Sequence, residues 1–269
     1  MTTTAESRAA VPLGRRMLNK VPEVTFYFWV IKIMCTTVGE TAADYLNDNL
    51  GFGLTNTTIV AGVLLVILLA FQFRLRKYVP GVYWSVVVVI SVFGTLITDN
   101  LTDKYNVPLT TSTIGFSIIL AGVFAVWYWK ERTLSIHSIV TTRREGYYWL
   151  AILFTFALGT AAGDLTAEKF SLGYGVSVAI FGGLIAAIAI AHFGFKMNAV
   201  LSFWLAYILT RPLGASIGDG LSQPTHNGGL GLGTTGTSYL FLASILVLVA
   251  FLTVTRRDQT PPELAAASA

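Results

Sequence analysis

The chain has 269 residues, 54% of them hydrophobic and only 12% charged, with a formal charge of +4. Soluble domains carry about 25% charged residues, so this composition and a mean hydropathy of +0.66 exclude an ordinary soluble fold and give nucleic-acid binding no support. A single cysteine, Cys35, excludes an internal disulfide and a cysteine metal cluster, and His137, His192 and His226 lack zinc-ligand spacing.

Residues 1–20 are polar, with Arg8, Arg15, Arg16 and Lys20, and read as a cytoplasmic tail. The apolar run that follows is too long for a signal peptide, contains Lys32 and ends in acids, so it reads as a retained span. Eight spans are expected, at 24–46, 56–73, 82–102, 110–130, 147–168, 174–195, 198–221 and 237–255, each near or above the ~20 residues that cross a bilayer. Runs such as 59–71 do not alternate in polarity, which favours helices over barrel strands. Arg15, Arg16, Lys20, Arg74, Arg76, Lys77, Lys130, Arg132, Arg143, Arg144, Lys196, Arg256 and Arg257 all fall on one side of this arrangement. The positive-inside rule then puts both termini in the cytoplasm. Residues 131–146 form the longest cytoplasmic loop, expected along the membrane surface, and 258–269 read as a disordered cytoplasmic tail.

A pattern recurs at the far end of every odd span: 36–44 (TTVGETAAD), 95–103 (TLITDNLTD), 160–168 (TAAGDLTAE) and 215–223 (ASIGDGLSQ). Each holds an acid followed four residues later by a second acid or, in the last, a glutamine. Aligning the leading acids Glu40, Asp99, Asp164 and Asp219 gives spacings of 59, 65 and 55 residues. Trp84, Trp149 and Trp204 stand fifteen residues before the last three, while Trp29 falls a turn out of step; all four are expected as anchors at the lipid–water interface. The unit is a two-helix hairpin present four times, at about 21–77, 78–132, 143–196 and 197–257. The expected fold is therefore an all-α membrane protein, a transmembrane domain over 21–257 of eight helices in four parallel repeats around a pseudo-symmetry axis.

Residues four apart share a helix face. Span one carries Lys32, Thr36, Glu40 and Asp44; span three carries Ser91, Thr95, Asp99 and Asp103; span five carries Phe156, Thr160, Asp164 and Glu168; span seven carries Arg211, Ala215, Asp219 and Gln223. A charge facing hydrocarbon costs at least ~2.5–3.5 kcal/mol, so these stripes are expected to face one another and line an outward-opening vestibule. The candidate cation ligands are Glu40, Asp44, Asp99, Asp103, Asp164, Glu168 and Asp219, supported by Thr36, Thr95, Thr160 and Gln223, with Lys32 and Arg211 as equivalent internal counter-charges. Pro212 is expected to loosen span seven. An all-oxygen set suits magnesium, calcium or manganese, and equally sodium or protons.

Gly163-Asp164 and Gly218-Asp219 bring intramembrane aspartyl proteases to mind, but the first glycine of G-x-G-D is absent, Ala161 and Ser216 standing there, so no enzyme is expected. None of the four turns matches the E-x-G-D-[KR]-[ST] repeats of known cation exporters. The run KVPEVTFYFWVIKIMCTTVGETAADYL from Lys20 through Leu46, with the fourfold pattern after it, resembles a family of bacterial multi-pass proteins described as uncharacterised and membrane-anchored. The resemblance spans 20–257, implies an inner-membrane location and brings no activity with it. The stripes alone point to transport of a cation, most simply a divalent one with manganese first, with the bilayer and the cation as partners and no cofactor. A proton- or sodium-coupled solute carrier and a non-transport partner or sensor subunit are the alternatives.

Overall fold

A computed structural model describes residues 19–169 and 172–259, leaving aside the side chains of Asp48, Glu168, Lys169 and Asn227. The expected tails lie outside the described residues apart from Asn19, Lys20, Asp258 and Gln259. Eight long helices follow one another: α1 (Phe26–Asp44), α2 (Gly53–Arg74), α3 (Pro80–Asp99), α4 (Leu109–Glu131), α5 (Thr142–Asp164), α6 (Gly173–Phe195), α7 (Ala199–Ser222) and α8 (Gly233–Thr255). Their starts are written locally. The side chains of Thr25, Thr141 and Asn198 accept from first-turn amides of α1, α5 and α7, and Pro80 opens α3 where no amide is needed. Three even helices begin on Gly53, Gly173 and Gly233, at φ of 70°, 75° and 74°, a left-handed conformation that only glycine adopts cheaply.

Helices α2 to α8 are each long and apolar enough to cross a membrane. The first helix, α1, is nineteen residues and more polar, carrying Lys32, Glu40 and Asp44, and falls short of that measure; it is a member of the inner ring. That ring consists of the odd helices in the order α1, α3, α5, α7 and back to α1. Each even helix packs outside against the next odd helix, α2 on α3, α4 on α5, α6 on α7 and α8 on α1. Burial separates the layers. More than half of each apolar stretch of α3, α5 and α7 is buried, against 28% or less for the even helices. The outer faces present Ile118, Ile190, Leu246 and Val247 to lipid.

Contacts around the ring set the register of the repeats. A Cβ added at Gly39 would fall under 3.0 Å from Ser91 of the next repeat, and one at Gly94 would meet Phe156. One at Gly159 would meet Arg211, and one at Gly214 would meet Thr36 of the first repeat, closing the circle. The aromatic pairs behave alike. Phe28 packs on Trp84 at 5.6 Å between ring centres, Tyr83 on Trp149 at 5.4 Å, Tyr148 on Trp204 at 6.2 Å and Phe203 on Trp29 at 5.7 Å. Trp29 is thus in step with the other tryptophans. The register of the first repeat moves by one turn: Asp44, not Glu40, is the counterpart of Asp99, Asp164 and Asp219, at spacings of 55, 65 and 55 residues. Lys32 and Arg211 are then not equivalent. Lys32 matches Tyr207, and Arg211 matches Thr36.

The aromatic ring closes the bundle at the N-terminal ends of the odd helices. Trp84, Trp149 and Trp204 are buried, so they act there as core rather than as an interfacial belt. The expected 131–146 loop is shorter, 132–141 between α4 and α5, and it folds over this end instead of lying along a membrane surface. Ile136 and Ile139 are buried, and the Leu134 carbonyl accepts from Trp204 Nε1 at 2.9 Å. Lys20 is buried too, paired with Glu145, whose other oxygen accepts from Gln72 Nε2 at 3.0 Å.

Candidate functional site

The four aligned aspartates lie at the opposite end of the ring. Asp44, Asp99 and Asp164 are the last residues of α1, α3 and α5, and each is followed by one π-helical turn, Tyr45–Asn49, Asn100–Lys104 and Leu165–Lys169. Asp219 lies in the last turn of α7, which has no such extension. Single π turns concentrate at functional sites. Here they follow three of the acids directly. A helix C-terminus carries a partial negative charge that disfavours a carboxylate by about 0.3–1 kcal/mol. Four such ends and four carboxylates around one axis make a concentrated negative field.

A cavity of about 200 Å³ opens among them. Glu40, Asp44, Asp99, Asp103, Asp164, Asp219 and Gln223 all line it. Within it, ligand oxygens of Glu40, Asp164 and Asp219 lie within 4.8 Å of one another. Oxygens bound to one calcium-like ion at ~2.3–2.6 Å stand no farther apart than roughly that, so the spacing of these three suits a shared cation, with Glu40 also held by Arg211. Asp103 is exposed at the rim. Glu168 belongs to the π turn after Asp164, and its side chain lies outside the described residues.

Arg211 is wholly buried and bonds to Glu40 of the cavity lining. From Nη2 it donates to Glu40 Oε2 at 2.8 Å and to Thr160 Oγ1 at 2.7 Å, and it also donates to Thr95 Oγ1. From Nη1 it donates to the Thr36 carbonyl at 2.9 Å. Glu40, Thr95 and Thr160 are counterparts in the first three repeats, and the fourth repeat has Ala215 there. The small alanine leaves the axial space that the guanidinium of its own helix fills. The threonines expected to support a cation therefore serve the arginine instead. Thr95 and Thr160 accept from it, and the Thr36 hydroxyl donates to the carbonyls of Ile33 at 2.6 Å and Thr210 at 3.2 Å. Helix α7 runs unbroken through Pro212.

Lys32 lies one turn deeper and is wholly buried. Its ammonium makes no hydrogen bond among the described residues and sits 4.1 Å from the ring centre of Phe156 and 4.3 Å from that of Tyr207. Counter-charge describes Arg211 well and Lys32 poorly, because aromatic faces rather than carboxylates surround it.

Asn47, Thr102 and Tyr174 also line the cavity and went unnoticed in the sequence. Asn47 and Thr102 each stand three residues after an aligned aspartate, so the corrected register would have found them. Tyr174 opens α6, and no periodic signal marks it.

The chain belongs to the family described as the Repeat of Unknown Function (DUF347), whose profile matches residues 27–78, 82–133, 147–198 and 202–258. Those four matches reproduce the corrected register, pairing Asp44 with Asp99, Asp164 and Asp219. No curated protein and no solved structure matches the chain.

Proposed function

We propose that this protein carries a cation across a bacterial inner membrane, with both termini cytoplasmic and the carboxylate cavity facing outward. A divalent metal is the favoured substrate, manganese ahead of magnesium and calcium, because the ligand set is hard oxygen throughout. The observation that carries the reading is the convergence of Glu40, Asp164 and Asp219 oxygens within 4.8 Å at the open end of a ring that is shut at its other end. Charge supports it as well. Five carboxylates, from Glu40 and the four aspartates, line one cavity, and Arg211 bonds to Glu40 among them. Like charges this close do not all ionise unless a cation or protons compensate them.

Asp164 and Asp219 take the first coordinating role, with Glu40 joining when Arg211 releases it. Asp44 and Asp99 complete the ring, and Asp103 at the rim attracts cations from solution. The shut end comprises Arg211, Lys32 and the aromatic layer, so passage requires these groups to move.

The test is the metal content of cells with and without the protein, across manganese, magnesium, calcium, cobalt and zinc. One metal should shift in the presence of the protein and return to baseline with Asp164→Asn. If no metal in the panel shifts, the divalent reading fails.

A further inference from the structure

One of the four junctions between outer and inner helices at the shut end differs from the rest. The outer helices carry matched inward positions, Gln72, Trp127, His192 and Leu252, spaced like the buried hydroxyls Thr57, Ser112, Ser177 and Thr237. Gln72, Trp127 and Leu252 are buried, whereas His192 is half-buried. Three residues earlier, Leu69, Phe124 and Val249 correspond to the smaller Ala189. On α4 this pair of positions closes the junction, with Phe124 at 4.9 Å and Trp127 at 5.7 Å between ring centres from Trp204. The counterpart of Trp204 facing α6 is Trp29. There Ala189, His192 and Trp29 line a cavity of about 650 Å³, within the ~300–1,000 Å³ of small-molecule sites. Trp29 is accordingly half-buried, while Trp84, Trp149 and Trp204 are buried.

The cavity is apolar toward the middle of the helices, at Ile185, Ile188, Phe203 and Ala206, and polar at the helix ends, at Thr25, Ser135, His137 and His192. Phe26 and Phe193 at its edges are 77% and 83% exposed, so it opens on the outer face, where lipid lies. Positive charge gathers at the polar end. The first turns of α1 and α7 line it through Phe26 and Val200, and helix N-termini carry partial positive charge. Arg257 donates to the Tyr27 hydroxyl in that first turn of α1 at 3.3 Å, and Lys196 follows directly on α6. Glu23, 3.4 Å from His137, offsets part of this charge.

We infer that the groove holds an anionic phospholipid, with an acyl chain between α1, α6 and α7 and the headgroup phosphate at the basic end. The lipid supplies at this junction the packing that Phe124 and Trp127 supply on α4. Basic pockets between membrane helices take anionic headgroups in this way. A second copy of the chain matches the site poorly. The outer-helix stretches 53–74, 109–130, 173–195 and 233–255 contain no acid to meet the basic end. Cation transport plays no part in the inference, since the carboxylates lie at the opposite end of the ring.

The experiment is native mass spectrometry of the full chain, stripped of lipid in detergent and titrated with phosphatidylglycerol or with phosphatidylethanolamine of the same acyl chains. Wild type should bind one phosphatidylglycerol about tenfold more tightly than phosphatidylethanolamine. Ala189→Phe gives α6 the side chain that α4 has at Phe124. It should weaken phosphatidylglycerol binding by a similar factor and melt no lower than lipid-free wild type. Should that variant fail to fold, Ala189→Leu, with the side chain of Leu69, carries the same expectation. Ile118→Phe, on the lipid-facing side of α4, should change nothing. His137→Gln combined with His192→Gln should abolish the preference for phosphatidylglycerol and leave phosphatidylethanolamine binding as in wild type. Equal affinity for the two lipids in wild type, or undiminished phosphatidylglycerol binding in a folded Ala189→Phe, overturns the inference. A dimer that Ala189→Phe separates also overturns it, and assigns the groove to a second copy. Phosphatidylglycerol binding gained only on removal of residues 1–18 overturns it too, and assigns the groove to that segment.

Discussion

The Arg211 guanidinium of the fourth repeat donates to the Glu40 carboxylate of the first at 2.8 Å, closing a ring of four repeats. Each of these residues breaks the repeat. The counterparts of Glu40 are Thr95, Thr160 and Ala215, and those of Arg211 are Thr36, Ser91 and Phe156. The pair fills the axis at one layer, directly beneath a layer in which all four repeats agree on aspartate.

Breaking that pair should be costly. Glu40→Gln leaves the Arg211 charge buried without its carboxylate, a change worth about 3–5 kcal/mol. The variant should melt well below the parent in detergent, followed by tryptophan fluorescence. Glu40→Gln with Arg211→Gln removes both charges and should recover most of the loss.

The ring glycines should tolerate no side chain. Gly159→Ala would drive a methyl group into Arg211 and the ring of Pro212. Overpacking of this kind costs about 1–3 kcal/mol. Gly122→Ala, on the outer helix α4, meets nothing within 4 Å and should leave the melting temperature close to that of the parent. Equal losses at the two positions would contradict the inner-ring assignment.

Acidification should stabilise the seal at the basic-loop end. Burial pushes the Asp258 carboxyl above the usual carboxylate range, and the hydrogen bond from Tyr78 offsets only part of that. The fold therefore prefers the protonated carboxyl. That contribution is fully present below the ordinary carboxylate pKa and is lost as pH rises through the raised value. Asp258→Asn should remove this part of the pH dependence, seen as a flatter plot of melting temperature against pH than the parent gives.

Much of this was legible in the sequence, and the failures share a physical cause. Span number, the four hairpins and the acidic ends followed from hydropathy and spacing, because lipid forces polar stripes inward. The register of the first repeat did not. Glu40 and Asp44 are four apart on one face, so either could be matched to Asp99; Trp29, fifteen residues before Asp44, already pointed to Asp44, and contacts such as Gly39 on Ser91 and Phe203 on Trp29 settle it. The tryptophans read as interfacial because they lie near the ends of spans. Their burial depends on the 132–141 loop folding over them, through Leu134 and Ile136, which no periodicity encodes. Arg211 reaches Glu40 because Ala215 leaves room beside it, a fact of the ring and not of α7 alone.

Equilibrium binding of manganese to the purified protein, followed by loss of the free-ion paramagnetic signal, tests the carboxylate site most directly. One ion per chain should bind to wild type, and that binding should be lost in both Asp164→Asn and Asp219→Asn while Asp103→Asn retains it. Undiminished binding in the first two variants, or none in wild type at millimolar metal, would contradict a cation site at the convergence of Glu40, Asp164 and Asp219.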